Sequence, residues 1–294
     1  MSMEPPRALV IGKNGQVGWE LCRVLGPVAQ VVALDYPEID FGREDALREC
    51  VREARPAVIF NAAAYTAVDK AETEEGLCRQ INTTAPRVLA EEAKRAGALL
   101  VHFSTDYVYD GTKVGAYVET DAANPTSAYG RAKLAGDLGV ISAGGDYLIF
   151  RLCWVYGGRG KNFLLTIQRL ARERETLRVV HDQIGAPTWS RMVAEATVFA
   201  VRQVWATKER AAFNGIYHLC AAGRTSWHGF AEAIVKRMPE AERKCRTIEP
   251  IGTQEYPAPA RRPANSLMDT GRLRETFGIR LPDWEESLGL VMDV

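Results

Sequence analysis

Tyr129 and Lys133, four residues apart, are the side chains of this sequence best suited to move a proton. Pro125 and Ser127 precede them and are typical of the approach to a helix and of its N-terminal cap. Residues four apart share one helical face, and a nearby ammonium lowers the pKa of a phenol, so the pair is predicted to deliver a proton to a substrate oxygen. A partly buried tyrosine beside a surface lysine has the same spacing, so the surrounding elements must decide.

A glycine-rich turn near the start of the chain predicts a dinucleotide site. Residues 7–11 form an apolar run typical of a buried strand, and residues 16–25 are predicted to form an amphipathic helix. Between them the sequence reads Gly-x-x-Gly-x-x-Gly, beginning at Gly12. Such glycines let a pyrophosphate approach the helix N-terminus, and the flanking strand and helix are the context that the motif requires.

An acidic residue, Asp35, ends the second predicted strand at residues 30–34. A carboxylate at this position accepts hydrogen bonds from the diol of an adenosine ribose and repels a 2′-phosphate, which favours NAD(H). Lys13 and Arg43 are candidate counter-charges for such a phosphate, so NADP(H) stays open. An ordinary loop acid is the alternative for Asp35.

Small side chains follow the third predicted strand, residues 57–61. The alanines at 62–64 let a flat ligand lie against the backbone, or let a helix pack closely on the sheet. The long helix predicted next, at residues 74–96, contains Asn82. An asparagine inside a helix usually needs a hydrogen-bond partner, so we expect one for its side chain.

Hydroxyl groups follow the fourth predicted strand, residues 98–103, at positions 104–106 (Ser-Thr-Asp). Ligands of open parallel sheets bind beyond the carboxyl ends of the strands. Tyr129 and Lys133 lie on the predicted helix between the fourth and fifth strands. Because these groups converge on one edge of the sheet, the sequence predicts a hydride-transfer site.

The composition predicts which partners the protein lacks. The 294 residues include 37 basic and 37 acidic ones, so no electrostatic surface for nucleic acid or an anionic membrane is predicted. No apolar run approaches the roughly 20 residues of a spanning helix, and the polar residues 1–6 lack the core of a signal peptide. Six scattered cysteines without a Cys-x-x-Cys pair predict reduced thiols, a cytoplasmic protein and no structural metal.

Alternating strands and helices predict an α/β fold, with a Rossmann-like doubly wound parallel sheet in residues 1–151. The pattern changes in residues 152–294, which are expected to form a smaller substrate-binding lobe. This C-terminal lobe is interwoven with the first domain, because some of its segments are expected to return to the sheet. The further elements predicted are helices at 162–175, 190–207 and 227–237, strands at 177–180 and 214–220, and a loop at 250–263.

Four segments carry a resemblance to a known family. They are residues 61–72 (NAAAYTAVDKAE), 104–111 (STDYVYDG), 182–188 (DQIGAPT) and 262–266 (RPANS). Together with the glycine turn and the Tyr-x-x-x-Lys pair, they resemble extended short-chain dehydrogenases/reductases, and specifically the dTDP-4-dehydrorhamnose reductase family, over nearly the whole chain. The chain departs from the family at Tyr109, where phenylalanine is frequent, and at Cys153, where serine is frequent; neither change removes a catalytic group.

The resemblance implies reduction of the C4 ketone of dTDP-4-dehydro-L-rhamnose by NADH or NADPH, in nucleotide-sugar biosynthesis. Tyr129 would donate the proton, Lys133 would activate it and hold the nicotinamide ribose, and Thr105 would hydrogen-bond the C4 oxygen. The remaining residues expected to contact the cofactor are Gly12, Asn14, Gly15, Gln16, Val17, Gly18, Asp35, Asp40, Phe41, Ala62, Ala63, Ala64, Tyr65 and Thr66.

Three further residues are expected to contact the substrate. Asp106 follows Thr105, and by the resemblance Trp154 would face the sugar, although a core aromatic beside the sheet is an equal alternative. Arg262 is a candidate ligand of the substrate diphosphate, because a guanidinium matches phosphate oxygens. A solvated arginine beside Arg261 is the alternative.

Other functions stay open on the sequence alone. A nucleotide-sugar dehydratase of this superfamily typically has an acid directly after the Thr-Asp pair, where this chain has Tyr107, and an epimerase would recycle bound NAD. A regulatory subunit of methionine adenosyltransferase resembles the same family and would be non-catalytic. A homodimer also stays open, with a Mg ion at its contact for which the candidate ligands are Glu195, Glu285 and Glu286.

Overall fold

Strands and helices alternate through the first half of the chain in the computed structural model, which describes residues 5–293. These elements are β1 (Arg7–Ile11), α1 (Gln16–Leu25), β2 (Gln30–Leu34), α2 (Glu44–Ala54), β3 (Val58–Asn61), α3 (Glu75–Arg79), α4 (Ala85–Ala96), β4 (Leu99–Thr105), α5 (Ala128–Ala143) and β5 (Tyr147–Leu152). A π-helical turn, Gln80–Thr84, joins α3 to α4.

The second half mixes short strands with helices. Its elements are β6 (Val155–Tyr156), α6 (Phe163–Glu173), β7 (Thr176–Val180), β8 (Ile184–Gly185), β9 (Thr188–Trp189), α7 (Ser190–Trp205), β10 (Gly215–His218), β11 (Thr225–Ser226), α8 (Trp227–Arg237), β12 (Thr247–Ile251), α9 (Gly271–Phe277) and α10 (Trp284–Met292). The strands β7 and β12, β8 and β11, and β6 and β9 form three two-stranded sheets.

The central sheet has six parallel strands in the order β10-β5-β4-β3-β1-β2. Its inner strands are buried and mostly apolar, because helices cover both faces of the sheet. Along β1, Ala8 and Val10 pack on the face covered by α1 and α7, whereas Leu9 and Ile11 pack on the face covered by α2 and α4. The predicted doubly wound sheet is confirmed.

Segments of the second half complete this sheet. β10 pairs with β5 at the edge, and α7 packs against α1. A separate apolar cluster, which includes Tyr156, Phe230 and Trp284, lies between the helices and short strands of the C-terminal lobe. The division of the chain at residue 151 stays a prediction.

The single helix predicted at residues 74–96 consists of three elements in the structure. The structure has α3, the π-helical turn and α4 there, and Asn82 lies in that turn. The Asn82 side chain accepts a hydrogen bond from the Tyr65 amide at 3.0 Å and donates one to the Tyr65 carbonyl at 2.9 Å. The Tyr65 backbone is therefore the hydrogen-bond partner expected for the Asn82 side chain.

Two more differences concern the C-terminal part. The predicted loop at 250–263 begins inside β12, and the sequence pattern did not predict α9 or α10. Within residues 5–293, no helix combines the length and the apolar character needed to cross a bilayer. The signal-peptide prediction used residues 1–6, of which residues 1–4 lie outside the described part.

Candidate active site

A cleft of about 680 Å³ opens beyond the carboxyl ends of the central strands. It contains the glycine turn at one end and Thr105, Tyr129 and Lys133 at the other. Of the sixteen residues predicted to contact a cofactor, all line this cleft except Gly18, Asp40 and Tyr65. Ligands of open parallel sheets bind at this edge, so the cleft has the position expected for a dinucleotide site.

The glycine turn brings the N-terminus of α1 against the cleft. Gly12 has a φ of +89°, and a Cβ there would lie 2.5 Å from the Ala63 amide nitrogen. A Cβ on Gly18 would lie 2.0 Å from the Gly12 carbonyl oxygen, so Gly18 shapes the turn without lining the cleft. No acidic residue occupies the first turn of α1, and no side chain caps it, so its amide groups are available to an anion.

Asp35 lies beside this turn at the end of β2. One carboxylate oxygen accepts a hydrogen bond from the Asn14 amide at 2.8 Å, and the other accepts one from the Tyr36 amide at 2.8 Å. Lys13, a candidate counter-charge for a 2′-phosphate, is bound instead to Glu38 at 2.6 Å. This acidic surrounding disfavours an additional phosphate on the ribose.

Two predicted cofactor residues act outside the cleft wall. The Asp40 side chain accepts a hydrogen bond from the Gly42 amide at 2.9 Å, which fixes its own loop. The backbone of Tyr65 is held by Asn82, and its hydroxyl donates to Glu74 at 2.5 Å. The three alanines that precede Tyr65 do line the cleft, as predicted.

Tyr129 enters the cleft from the first turn of α5. The Ser127 hydroxyl accepts a hydrogen bond from the Gly130 amide at 3.1 Å, which confirms Ser127 as the helix cap. The Tyr129 ring packs edge-on against Tyr107, with ring centroids 5.5 Å apart. The helix cap and this aromatic contact together fix the direction of the Tyr129 hydroxyl.

The pKa of Tyr129 moves in the direction opposite to the one predicted. Burial raises the pKa of its hydroxyl well above the ordinary value, and the nearby Thr105 hydroxyl opposes this shift only in part. The prediction from the spacing considered the charge of Lys133 but omitted desolvation, which favours the neutral phenol.

Lys133 lies at the floor of the cleft and is 1% exposed. Its ammonium donates a hydrogen bond to the Phe103 carbonyl at 2.5 Å and lies 3.4 Å from the His102 Nε2 atom. Burial lowers the pKa of Lys133 to about 8, and the charge of Asp137 opposes this change. The ammonium is therefore fixed in place, and its pKa lies close to neutral pH.

Thr105 and Asp106 form the other wall beside Tyr129. The Thr105 hydroxyl donates to an Asp106 carboxylate oxygen at 3.2 Å and accepts a hydrogen bond from the Tyr107 amide at 3.2 Å. Burial raises the pKa of Asp106 to about 6, and the nearby side chains of Ser266 and Thr105 oppose this shift. Its second oxygen, Oδ2, is buried and has no hydrogen-bond partner among the residues that the structure describes.

Trp154 lines the cleft in a strained backbone conformation. It has a φ of 45°, which is uncommon for a residue with a side chain. Its indole stacks on Trp227, with centroids 3.6 Å apart and planes 10° apart. A Cβ on Gly185 would lie 2.5 Å from the indole, so this glycine leaves the room that the ring occupies.

Arg262 does not line this cleft. It contributes to a neighbouring cavity of about 530 Å³, whose lining also includes Asp110, Asp182 and Tyr256. Its guanidinium forms a bidentate ion pair with Asp69, with N–O distances of 3.1 and 2.8 Å. Arg262 is thus a paired arginine, rather than the solvated one that was its alternative.

Several cleft residues escaped the sequence analysis. Trp227 and Lys161 come from the C-terminal region, and the loop that carries Lys161 is bound to the glycine turn because Asn162 donates to the Gln16 side chain at 3.0 Å. A tryptophan at a helix start and a lysine in a glycine-rich loop gave no signal of their own. The remaining cleft residues not predicted are Val68, Phe103, Ser104, Tyr107, Leu152, Val155 and Gly160.

The candidate metal ligands are dispersed. Among residues 5–293, no group of three or more His, Cys, Asp or Glu side chains is arranged to hold a metal ion. Glu195 pairs with Arg191 at 3.0 Å, and Glu285 lies 4.0 Å from Arg237. A metal ion shared between two copies of the chain stays a prediction.

Comparison with known proteins gives one consistent result. The profile of the family described as "RmlD substrate binding domain" matches residues 6–294. A dTDP-4-dehydrorhamnose reductase from Burkholderia thailandensis is 51% identical over 289 residues, which are 97% of each chain. The chain belongs to the dTDP-4-dehydrorhamnose reductase family. The resemblance seen in the motifs is therefore confirmed.

Solved structures of this family share the fold in detail. A dTDP-4-dehydrorhamnose reductase from Bacillus anthracis in complex with NADP superposes with a TM-score of 0.90 at 34% identity, covering 98% of this chain and 99% of that chain. A family member from Clostridium acetobutylicum gives a TM-score of 0.90 at 35% identity, covering 97% and 98%. This chain thus shares its overall fold with both of these reductases.

Proposed function

We propose that the protein reduces the C4 ketone of dTDP-4-dehydro-L-rhamnose to dTDP-L-rhamnose, with NADH or NADPH as the hydride donor. The observation that carries the proposal is the meeting of Thr105, Tyr129 and Lys133 in one cleft with the glycine turn. The reductases among its relatives, at up to 51% identity, support the substrate. Asp35 and the Lys13–Glu38 pair support NADH as the preferred cofactor.

The cleft fits a dinucleotide, because its glycine turn leaves no room for a Cβ and the start of α1 is uncapped. The diphosphate would lie on the backbone of Gly12, Gly15 and Gln16, and the nicotinamide ribose would face Lys133. When bound, the reduced cofactor supplies a hydride to the C4 carbon. The chain must then stabilise and protonate the oxygen.

Burial suits Tyr129 to this task. Its raised pKa keeps the phenol protonated until an alkoxide, which is a stronger base, forms beside it. The Tyr107 amide holds the Thr105 hydroxyl oxygen beside the cleft. Its single proton points to Asp106 in this structure, so the hydroxyl must turn toward the substrate to donate to the same oxygen. Lys133 fixes the ribose from the floor of the cleft, since its own position is set by the Phe103 carbonyl.

Tyr107 argues against a dehydratase. It occupies the position after Asp106 at which a dehydratase typically has an acidic side chain, whose carboxylate can accept a proton; burial raises the pKa of the Tyr107 hydroxyl. A phenol that holds its proton this firmly is a poor general base at pH 7. Stoichiometric oxidation of NADH with a keto-sugar nucleotide distinguishes a reductase from an epimerase, which recycles the cofactor, and from a non-catalytic regulatory subunit, which gives no turnover.

Tyr129→Phe tests the proposal directly. The variant keeps the ring and its contact with Tyr107 but lacks the proton, so we expect kcat to fall by about 100-fold or more. The dissociation constant of NADH, measured by fluorescence, should change by less than about twofold, because binding does not use this proton. Tyr156→Phe is a matched control: its hydroxyl is also buried, but it has no partner among the described residues and lies outside the cleft. Near-normal turnover in Tyr129→Phe contradicts the assignment.

Further properties belong to this proposal. We infer a cytoplasmic location, which is supported by six cysteines that are all free thiols. A homodimer, with or without a Mg ion at its contact, is tested by sedimentation with and without a chelator.

A further inference from the structure

A buried carboxylate that the mechanism above does not use lies one helical turn after Lys133. Asp137, on α5, has no exposed surface. Its Oδ2 atom accepts a hydrogen bond from the Ser104 hydroxyl at 2.8 Å and lies 3.5 Å from both Nε and Nη2 of Arg151. Burial raises the pKa of the Asp137 carboxyl, whereas the charges of Arg151 and Lys133 and the Ser104 hydroxyl oppose this shift. An ionised carboxylate inside a protein is expensive unless cations or donors surround it, so a specific role is expected.

His102 lies between this carboxylate and the lysine. Its Nε2 atom is 3.4 Å from the Lys133 ammonium and 3.6 Å from the Asp137 Oδ1 atom. On the other side of the ring, the Nδ1 atom is 3.1 Å from Nδ2, the side-chain amide nitrogen of Asn61. His102 is fully buried, and burial lowers its pKa well below the ordinary value, so the ring is neutral. The Asn61 side chain can only donate to Nδ1, so the ring proton is on Nε2, and this atom cannot also accept a hydrogen bond from Lys133. The edge of the ring therefore brings the ammonium and the carboxylate close together without relaying a hydrogen bond between them.

Besides His102, the titratable groups around Lys133 come from β5, α5 and α3. Arg151 on β5 is the second cation of the cluster, and Asp137 is the carboxylate between the two. Cys78 on α3 faces Lys133, but burial raises the pKa of its thiol and keeps it neutral. The charge of Asp137 therefore opposes the loss of the lysine proton that burial favours.

We propose that Asp137 is a positioning residue of the reaction: the charge of its carboxylate, held by Ser104 and Arg151 beside His102, keeps the Lys133 ammonium charged and fixed at the floor of the cleft. The inference rests on the proposed function, in which Lys133 holds the cofactor ribose. Without the carboxylate, two cations would share a buried site. An arginine stays protonated in proteins, so Lys133 would be the one to lose its proton.

Asp137→Asn tests this role, with the Lys133 titration as the readout. Lysine labelled with 13C at Cε is followed by NMR across the pH range, and the Lys133 signal is assigned by its loss in Lys133→Arg. We expect the midpoint to fall by about one to two pH units, because a charge within reach has been removed. The alkaline limb of the kcat profile should move by the same amount, and Asp137→Glu should restore both.

Glu92→Gln is the matched control. Glu92 is also buried, at 2% exposure, and it is surrounded by arginines, but it lies on α4 away from the cleft. This variant should lose stability without moving either pH midpoint, so a general loss of packing is separated from the proposed role.

An unchanged Lys133 midpoint in Asp137→Asn overturns the proposal. If that variant does not fold, Ser104→Ala removes only one hydrogen bond from Asp137. A smaller shift in the same direction then supports the proposal, and no shift overturns it. Because the titration needs no turnover, it tests Asp137 even where the wild-type protein fails to reduce the sugar nucleotide, an outcome that would refute the proposed function instead.

Discussion

Asp106→Asn should make the protein more stable at neutral pH. Asp106 is 3% exposed, and its Oδ2 atom has no hydrogen-bond partner within residues 5–293. Asparagine has the same shape, can keep the acceptor that Thr105 uses, and carries no charge. The substitution therefore removes a buried charge and leaves the packing intact.

The magnitude follows from the position of the titration. Burial raises the pKa of Asp106 from 3.8 to about 6, a difference that corresponds to an upper limit of about 3 kcal/mol of unfolding free energy. Because the folded pKa lies above the unfolded one, ionisation opposes folding. The penalty is small below about pH 4, grows as the pH rises to about 6, and is constant above that. An unpaired amide N–H offsets part of this gain, so we expect a net gain of about 1–2 kcal/mol at pH 8.

Urea unfolding across this pH range measures the effect. The stability difference between Asp106→Asn and the wild type should grow between about pH 4 and 6 and then level off. Asp110→Asn is a control with the opposite sign, because hydrogen bonds from Thr112, Asn124 and Tyr117 hold the pKa of the Asp110 carboxyl well below its usual range. That variant should be less stable at neutral pH, and its deficit should shrink on acidification. A difference for Asp106→Asn that does not depend on pH, or a loss of stability at pH 8, refutes the reasoning.

Two further substitutions test the walls of the cleft. Gly185→Ala would place a Cβ 2.5 Å from the Trp154 indole, which Trp227 confines on its other side, so the KM for the sugar nucleotide should rise by about tenfold with unchanged NADH affinity. Gly76→Ala, which meets nothing within 4 Å, should leave both constants unchanged. Lys161→Gln should weaken NADH and ADP binding by about five- to tenfold in calorimetry and leave adenosine binding unchanged, because the lysine charge would act on phosphate. Equal weakening of adenosine would show a change of pocket shape instead.

Local patterns predicted the parts of the site that come from regular elements of the first half of the chain. The spacing of Tyr129 and Lys133 and the cap at Ser127 were sufficient, because a helix fixes which side chains share a face. The glycine turn was equally predictable, since a strand and a helix on either side determine where it lies. In each case the physical cause lies within a few residues of the pattern.

The parts that escaped prediction depend on contacts between distant segments. Trp227 reaches the cleft because α8 lies next to Trp154, some seventy residues earlier in the sequence. Arg262 forms an ion pair with Asp69, which is still more distant in the sequence. Neither contact leaves a periodic pattern in the sequence. The sequence therefore shows which residue type is present but not which distant residue it contacts.

The pKa of Tyr129 shows why spacing alone misjudged the chemistry. Helical spacing predicts that a phenol and an ammonium lie near each other, but burial acts on both and drives each toward its neutral form. A neutral phenol is what a proton donor requires, whereas a neutral lysine would lose its hold on a ribose. Burial thus suits the role of Tyr129 and opposes the role of Lys133, so only Lys133 needs a nearby negative charge. Asp137 lies on the Lys133 side of the pair, behind the floor of the cleft and bound to Ser104 and Arg151, where a counter-charge can act on the lysine.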